Sequence, residues 1–200
     1  MSYTRNLVTS RLKEPSEVAV GAAEALLREM LPAHFLPLDQ HLIDTPVRVA
    51  RWLEFATAGY AASVEEVLST SFKAPDAYDA MVIVKDIPFS SLCAHHLLPF
   101  IGTAKIAYVP KGRLIGLSKL ARLVDVFARR LQIQETLTND IARALFSSKL
   151  LPQGVAVQLE AEHLCMTVRG VQKPGSKTVT TALRGVFLDV PATRQEFLTS

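Results

Sequence analysis

The hydrophobic rhythm of the chain changes several times, and each change marks an element. Residues 15–31 are rich in Ala, Leu and Glu and read as an amphipathic or buried helix, stopped by Pro32. Thr45-Pro46 supplies a capping hydroxyl and a proline for the first turn of a second helix, with Gly59 as its stop. Ser63 with Glu66 fits a capping box for a short third helix. Polar residues then take over at Lys73-Ala74-Pro75-Asp76, which reads as a linker. The pattern predicts an N-terminal helical region, residues 1–78, ahead of a second unit over residues 79–200.

In that second unit, residues 81–90 and 103–109 are rich in Val, Ile and aromatics and predict strands. From Ser118 the period lengthens, and Leu120, Leu123, Val124, Phe127 and Leu131 define one apolar helical stripe. A further helix is expected from about 134 to 148. Residues 154–168 and 178–188 return to strand character, and 194–198 close as a helical turn. Two strands, two helices and two strands joined by short links predict an α+β fold. Its hairpins are antiparallel and its helices lie on one face of the sheet.

Composition narrows the class. Hydrophobic residues make up 49% and charged residues 20% of the 200, which suits a core-forming globular chain rather than a disordered one. No apolar run reaches the roughly 18 residues of a membrane span, and residues 1–13 hold no apolar leader segment. A cytoplasmic protein with no membrane partner is therefore expected. Net charge is +3 with scattered cations, which points away from nucleic acid and is compatible with a small anion such as a triphosphate.

The chemistry concentrates in two places. Cys93-Ala94-His95-His96 packs a thiol and two imidazoles together, and His163-Leu164-Cys165 supplies one more of each. Thiolate and imidazole are preferred zinc ligands, and a catalytic zinc takes three protein groups with one position open. Two Cys and one His would meet that need and leave a histidine for proton transfer. A closed structural zinc, or cysteines buried near unrelated histidines, is the other reading. If residues 154–169 stay extended, His163, Cys165, Thr167 and Arg169 share one face while Glu160 and Glu162 take the other. Ser118 is a natural N-cap, and Lys119 and Arg122 lie beside it, a credible phosphate cradle at a helix N-terminus. Arg48 and Arg51 repeat the same spacing in the N-terminal region. The carboxylate of Glu135, after Gln134, can accept two hydrogen bonds from a guanine edge, or simply favour the helix dipole.

Several segments together resemble the GTP cyclohydrolase I family. They are Asp44-Thr45-Pro46-Val47-Arg48-Val49-Ala50, Cys93 through Pro99, Ile115-Gly116-Leu117-Ser118-Lys119 and Gln132-Ile133-Gln134-Glu135. Glu162-His163-Leu164-Cys165-Met166 to Arg169-Gly170, Lys173-Pro174-Gly175-Ser176, and Thr180-Thr181 to Gly185 continue the likeness, which covers about residues 40–198. The resemblance implies the tunnelling fold, an antiparallel ββααββ unit, assembled as a homodecamer with active sites between subunits. It implies Zn2+ held by Cys93, His96 and Cys165, although parity on an extended chain would pair Cys93 with His95. It implies His163 as the acid/base histidine, assisted by His95. Ser118, Lys119, Arg122 and Arg169 would hold the triphosphate of GTP, with Arg48 and Arg51 reaching in from a neighbouring subunit. Gln134 and Glu135 would recognise guanine.

The implied activity is hydrolysis of the GTP imidazole ring at C8. Formate leaves, and the remainder rearranges to 7,8-dihydroneopterin triphosphate for pterin and folate synthesis. Ala94 stands where the family usually carries Glu, and Thr136 where Arg is common. The first departure keeps two alternatives open. One is a weakened nucleotide-binding paralogue with a structural or regulatory role; the other is a related purine or pterin enzyme.

Overall fold

The computed structural model describes residues 14–32, 37–76, 78 and 80–200. Residues 1–13, read above for a leader segment, lie outside that set, as does residue 79, the expected start of the second unit. Helix α1 (Glu17–Met30) begins where Ser16 Oγ accepts the Ala19 N–H at 3.1 Å, and its chain turns extended at Leu31, ahead of Pro32. Helix α2 (Thr45–Thr57) packs against α1 and carries Pro46 in its first turn. Thr45 is the first helical residue rather than the cap, and no side chain caps that end. Gly59 does not stop the coil; a 3-10 turn, Ala58–Ala61, carries it on. Ser63 caps the short α3 (Val64–Val67) through the Glu66 N–H at 3.2 Å.

Strand β1 (Ser71–Lys73) pairs antiparallel with β4 (Arg113–Ile115), so the stretch just before the expected linker is tied to the middle of the chain. The main sheet has five strands in the order β5 (Leu131–Gln132), β2 (Val82–Cys93), β3 (Pro99–Val109), β6 (Gly154–His163), β7 (Thr178–Gly185). Strands β2, β3, β6 and β7 run antiparallel, while the two-residue β5 lies parallel to β2. Helices α4 (Leu117–Ala128) and α5 (Gln134–Phe146) separate the two hairpins in sequence and cover one face. The α+β, ββααββ arrangement of the tunnelling fold is therefore present.

Strand alternation explains the core. Phe100, Ala104, Ile106 and Tyr108 of β3 face the helices together with Val155, Val157, Leu159 and Ala161 of β6. Leu120, Leu123, Val124 and Phe127 of α4 and Leu137, Ile141 and Leu145 of α5 meet them there. In β2 the register slips between Val84 and Ile87, with Asp86 at φ 58°, so Val82 and Val84 face the core and so do Ile87, Phe89 and Cys93. The opposite face is covered at one end by α7 (Val186–Asp189) and α8 (Pro191–Thr199). Their Phe187 and Phe197 pack on Ala107, Val109 and Ala156. The C-terminal helix is longer than the expected 194–198 turn because Pro191 starts it.

Three further expectations are corrected. Leu131 leaves the α4 stripe, since the helix ends at Ala128 and Leu131 sits in β5, 39% exposed. The sixth strand does not run to 168. Its ladder with β7 ends at Ala161 and its ladder with β3 at His163, next to Pro99, which has no N–H to offer. Released from both neighbours, the chain coils into α6 (Leu164–Thr167), closed by Val168 N–H to Leu164 O at 2.9 Å. Strand β7 likewise ends early, at Gly185, whose φ of 56° turns the chain into α7.

Candidate active site and metal centre

The chemistry-bearing residues collect where β2 and β6 end. Beyond Cys93 the chain makes a tight turn back to β3, closed by backbone bonds. Cys93 N–H donates to Leu98 O at 2.9 Å, and His96 and Leu97 N–H donate to Cys93 O at 3.2 and 2.9 Å. Leu97 adopts φ 55° to complete it, and Ala94 N–H anchors the turn on Gln132 O at 2.9 Å. The turn folds both imidazoles back onto the buried thiol. Cys93 Sγ lies 3.5 Å from His96 Nδ1 and 3.9 Å from His95 Nδ1.

Cys93, His95 and His96 form a group whose ligand atoms all lie within 4.8 Å of one another. Zinc at about 2.3 Å from sulfur and 2.0–2.1 Å from nitrogen spaces tetrahedral neighbours about 3.6 Å apart. The Cys93–His96 pair fits that spacing and the His95 contact is a little long for it. Cys165, on α6, packs against the core cluster that contains Cys93 and lies outside the three-residue group. Burial, then the Cys93 thiol beside it, pushes its own thiol up from the ordinary value, while Arg169 pulls the other way. The donor set is therefore of the kind that holds zinc.

Helix α6 breaks the strand parity expected beyond His163, so Cys165 and Arg169 come to the site from a helix and a turn rather than from one strand face. Glu162 holds that turn: its Oε1 accepts from Thr167 Oγ1 at 3.2 Å and from Gly175 N–H at 3.0 Å.

His163 is the last residue of β6 and points to the helix-covered side. Its ring stacks on Phe100, directly across the ladder, with centroids 4.6 Å apart and planes 1° from parallel. Its Nε2 lies 2.7 Å from Gln134 Oε1 at the start of α5. Burial lowers its pKa from the ordinary histidine value, against a smaller upward pull from Glu135.

Gln134, expected to read guanine, is 1% exposed, and both ends of its amide are engaged inside the protein. Glu135 is exposed and lines a cleft of about 440 Å³ with Asn139, Thr181, Arg184 and Leu188. Ser118 is not the cap of α4; the cap position is Gly116 and Ser118 lies inside the first turn, with Lys119 and Arg122 following. Among the described residues, neither of those cations has a carboxylate partner. Arg48 and Arg51, on α2, are paired with Asp44 and Glu14, not with residues of the Cys93 group.

Phe100 and Thr138, behind Gln134, had no signal in the linear sequence. The strand register sets Phe100 opposite His163, and the helical turn of α5 sets Thr138 against Gln134 O.

Fold and side chains together define a tunnelling-fold enzyme, with a thiol–imidazole cluster and a half-buried histidine at the strand ends. A sequence model of the family described as GTP cyclohydrolase I matches residues 23–200. A GTP cyclohydrolase 1 of Allorhizobium ampelinum is 49% identical over 96% of this chain and 94% of its own length. One from a Synechococcus species is 48% identical over 96% of this chain and 81% of its own. A Nostoc protein, GTP cyclohydrolase 1 2, is 53% identical over 81% of this chain and 74% of its own. The archaeosine synthase QueF-Like, solved in its apo form, shares 18% identity and a TM-score of 0.45 over 56% of this chain and 97% of that one. The chain belongs to the GTP cyclohydrolase I family.

Proposed function

We propose that this chain hydrolyses the imidazole ring of GTP at C8, releases formate and yields 7,8-dihydroneopterin triphosphate, the entry to pterin and folate synthesis. The observation that carries the reading is the Cys93–His96 pair at 3.5 Å, grouped with His95, with Cys165 packed on the same core and a separate histidine, His163, two residues before it. Cys93, His96 and Cys165 would hold Zn2+, whose chemistry when bound is the activation of water at neutral pH. His163, with His95 beside the cluster, would protonate N7 of the purine, which makes C8 electrophilic toward water.

Ser118, Lys119, Arg122 and Arg169 would hold the triphosphate, and this fixes the position of C8 rather than breaking bonds. Arg48 and Arg51 would complete that grip from a neighbouring subunit of a homodecamer. Glu135 would accept the guanine N1–H and amino group. A cytoplasmic location fits this role. Among the described residues no helix is long and apolar enough to cross a membrane.

The weakened-paralogue alternative is not favoured. The turn that carries Cys93, His95 and His96 is closed by backbone bonds, and the exposed Ala94 side chain takes no part in them. The test is to incubate zinc-supplied protein with GTP and measure formate together with a fluorescent pterin after oxidation. Both products appear if the proposal holds; nucleotide binding with neither product overturns it.

A further inference from the structure

We infer that Gln134 is a positioning residue that fixes the orientation and tautomer of His163, placing the proton on Nε2 and leaving Nδ1 as the ring nitrogen open to exchange. The inference rests on reading His163 as the proton-transfer histidine, and it changes the role expected of Gln134.

The argument is one of donors and acceptors. Gln134 Nε2 lies 3.2 Å from Leu159 O, 2.9 Å from Thr178 O and 3.1 Å from Thr180 Oγ1. Two of those three are main-chain carbonyls, which only accept, so the amide end that faces them must be the NH2 group. Turning the amide over would set its oxygen against two carbonyl oxygens in a site 1% exposed. The threonines agree. Thr138 Oγ1 donates to Gln134 O at 2.7 Å, so the 2.6 Å contact between the hydroxyls has Thr180 as donor, and Thr180 Oγ1 remains free to accept from the amide.

Gln134 Oε1 therefore has only an acceptor's role at the 2.7 Å contact, and His163 Nε2 must carry the hydrogen. The Phe100 stack cannot make this choice. A half-turn of the imidazole in its own plane stack would preserve the parallel faces but present a C–H to Gln134 Oε1. Phe100 sets the plane, and Gln134 selects which edge faces inward. Among the described residues, Nδ1 has no hydrogen-bond partner. A base oriented by a third group in this way is a recurring device in acid–base and nucleophilic sites.

The experiment is solid-state NMR on the full-length protein with 15N-labelled histidine at about pH 8, above the ordinary histidine range. The chain has five histidines, so a His163→Ala spectrum identifies the His163 signals by difference. The wild type is expected to show His163 protonated on Nε2 and bare on Nδ1. Gln134→Met, close in size but without the acceptor, is expected to lose that preference. Its kcat for GTP should fall by roughly 10- to 100-fold, as for other ligand-orienting partners, with KM within about twofold of the wild type.

A wild-type His163 protonated on Nδ1 overturns the inference, and that spectrum decides even if the Met variant fails to fold. An unchanged tautomer in Gln134→Met, or a raised KM at unchanged kcat, also overturns it, the latter because Gln134 would then be reading the base. A protein that shows the Nε2–H form but turns over no GTP removes the proposed function and leaves this assignment standing. Turnover with the Nδ1–H form does the reverse.

Discussion

Gly59→Ala tests whether the helical region that carries Arg48 and Arg51 is docked rigidly on the sheet unit. A Cβ at Gly59 would lie 2.2 Å from Val126 O and 2.7 Å from Arg129 O, both main-chain atoms at the end of α4 that have no room to yield. The same residue donates its N–H to Arg129 O at 2.9 Å and accepts from Arg130 Nε and Nη2 at 3.2 and 3.1 Å. Two effects oppose each other. Alanine restricts the unfolded chain, which favours folding by about 0.4–1 kcal/mol. Backing the turn away from α4 gives up a neutral hydrogen bond of about 0.5–1.5 kcal/mol and a charged one of about 1.5–3 kcal/mol.

The loss wins, leaving a net destabilisation of about 1–4 kcal/mol, or roughly 3–15 °C in thermal midpoint for a chain of this length. Thermal unfolding followed by circular dichroism measures it. Gly21→Ala is the control: a Cβ there meets nothing within 4 Å in the exposed middle of α1, so the same substitution should stabilise. A Gly59→Ala midpoint within about 1 °C of wild type would refute the close-approach argument.

Cys165→Ser should lower zinc content well below the about one ion per chain expected of the wild type, read by elemental analysis of dialysed protein. Full occupancy would remove Cys165 from the ligand set. His163→Ala should keep its zinc yet form no pterin, because the histidine moves protons and does not hold the ion; unchanged formate release would sink that role. Tyr108 supplies a pH test. Burial raises its phenol above the ordinary value, so the folded form keeps its proton while the unfolded form loses it. Stability is then full below about pH 10 and falls as pH rises from there through the raised value. Tyr108→Phe should flatten that alkaline decline in midpoint-against-pH curves, although it also gives up the 2.9 Å bond from Ile115 N–H. Parallel alkaline slopes for the two proteins would argue against it.

What was legible in the sequence was whatever depends on local period. Leu120, Leu123, Val124 and Phe127 repeat at helical spacing, and all four are buried at 6% exposure or less. The ββααββ order followed from such stretches alone. What was not legible depends on neighbours. Residues 154–168 read as one strand because nothing local distinguishes Leu164 from the residues before it; the strand stops because its two partners stop. Leu131 fits the α4 period, yet the helix has already ended where Gly59 takes the Arg129 carbonyl. Cys93, His95 and His96 were visible as a cluster because they are adjacent in sequence, whereas Phe100 joins His163 only through the β3–β6 register.

The register also explains why the bulge in β2 matters to the site. Val82 and Val84 face the helices, and with strict alternation from them Cys93 would fall on the opposite side of the sheet. The extra residue at Asp86 resets the parity, so the same strand packs its first half correctly and still delivers its last side chain to the helix-covered face. His163 arrives on that face by unbroken alternation from Val155 through Ala161 along β6. One face of β3 lies between them and carries Phe100 at its first inward position. The cluster and the histidine are thus brought together by three strands keeping their inward faces in phase, and only one of the three needs an irregularity to do so.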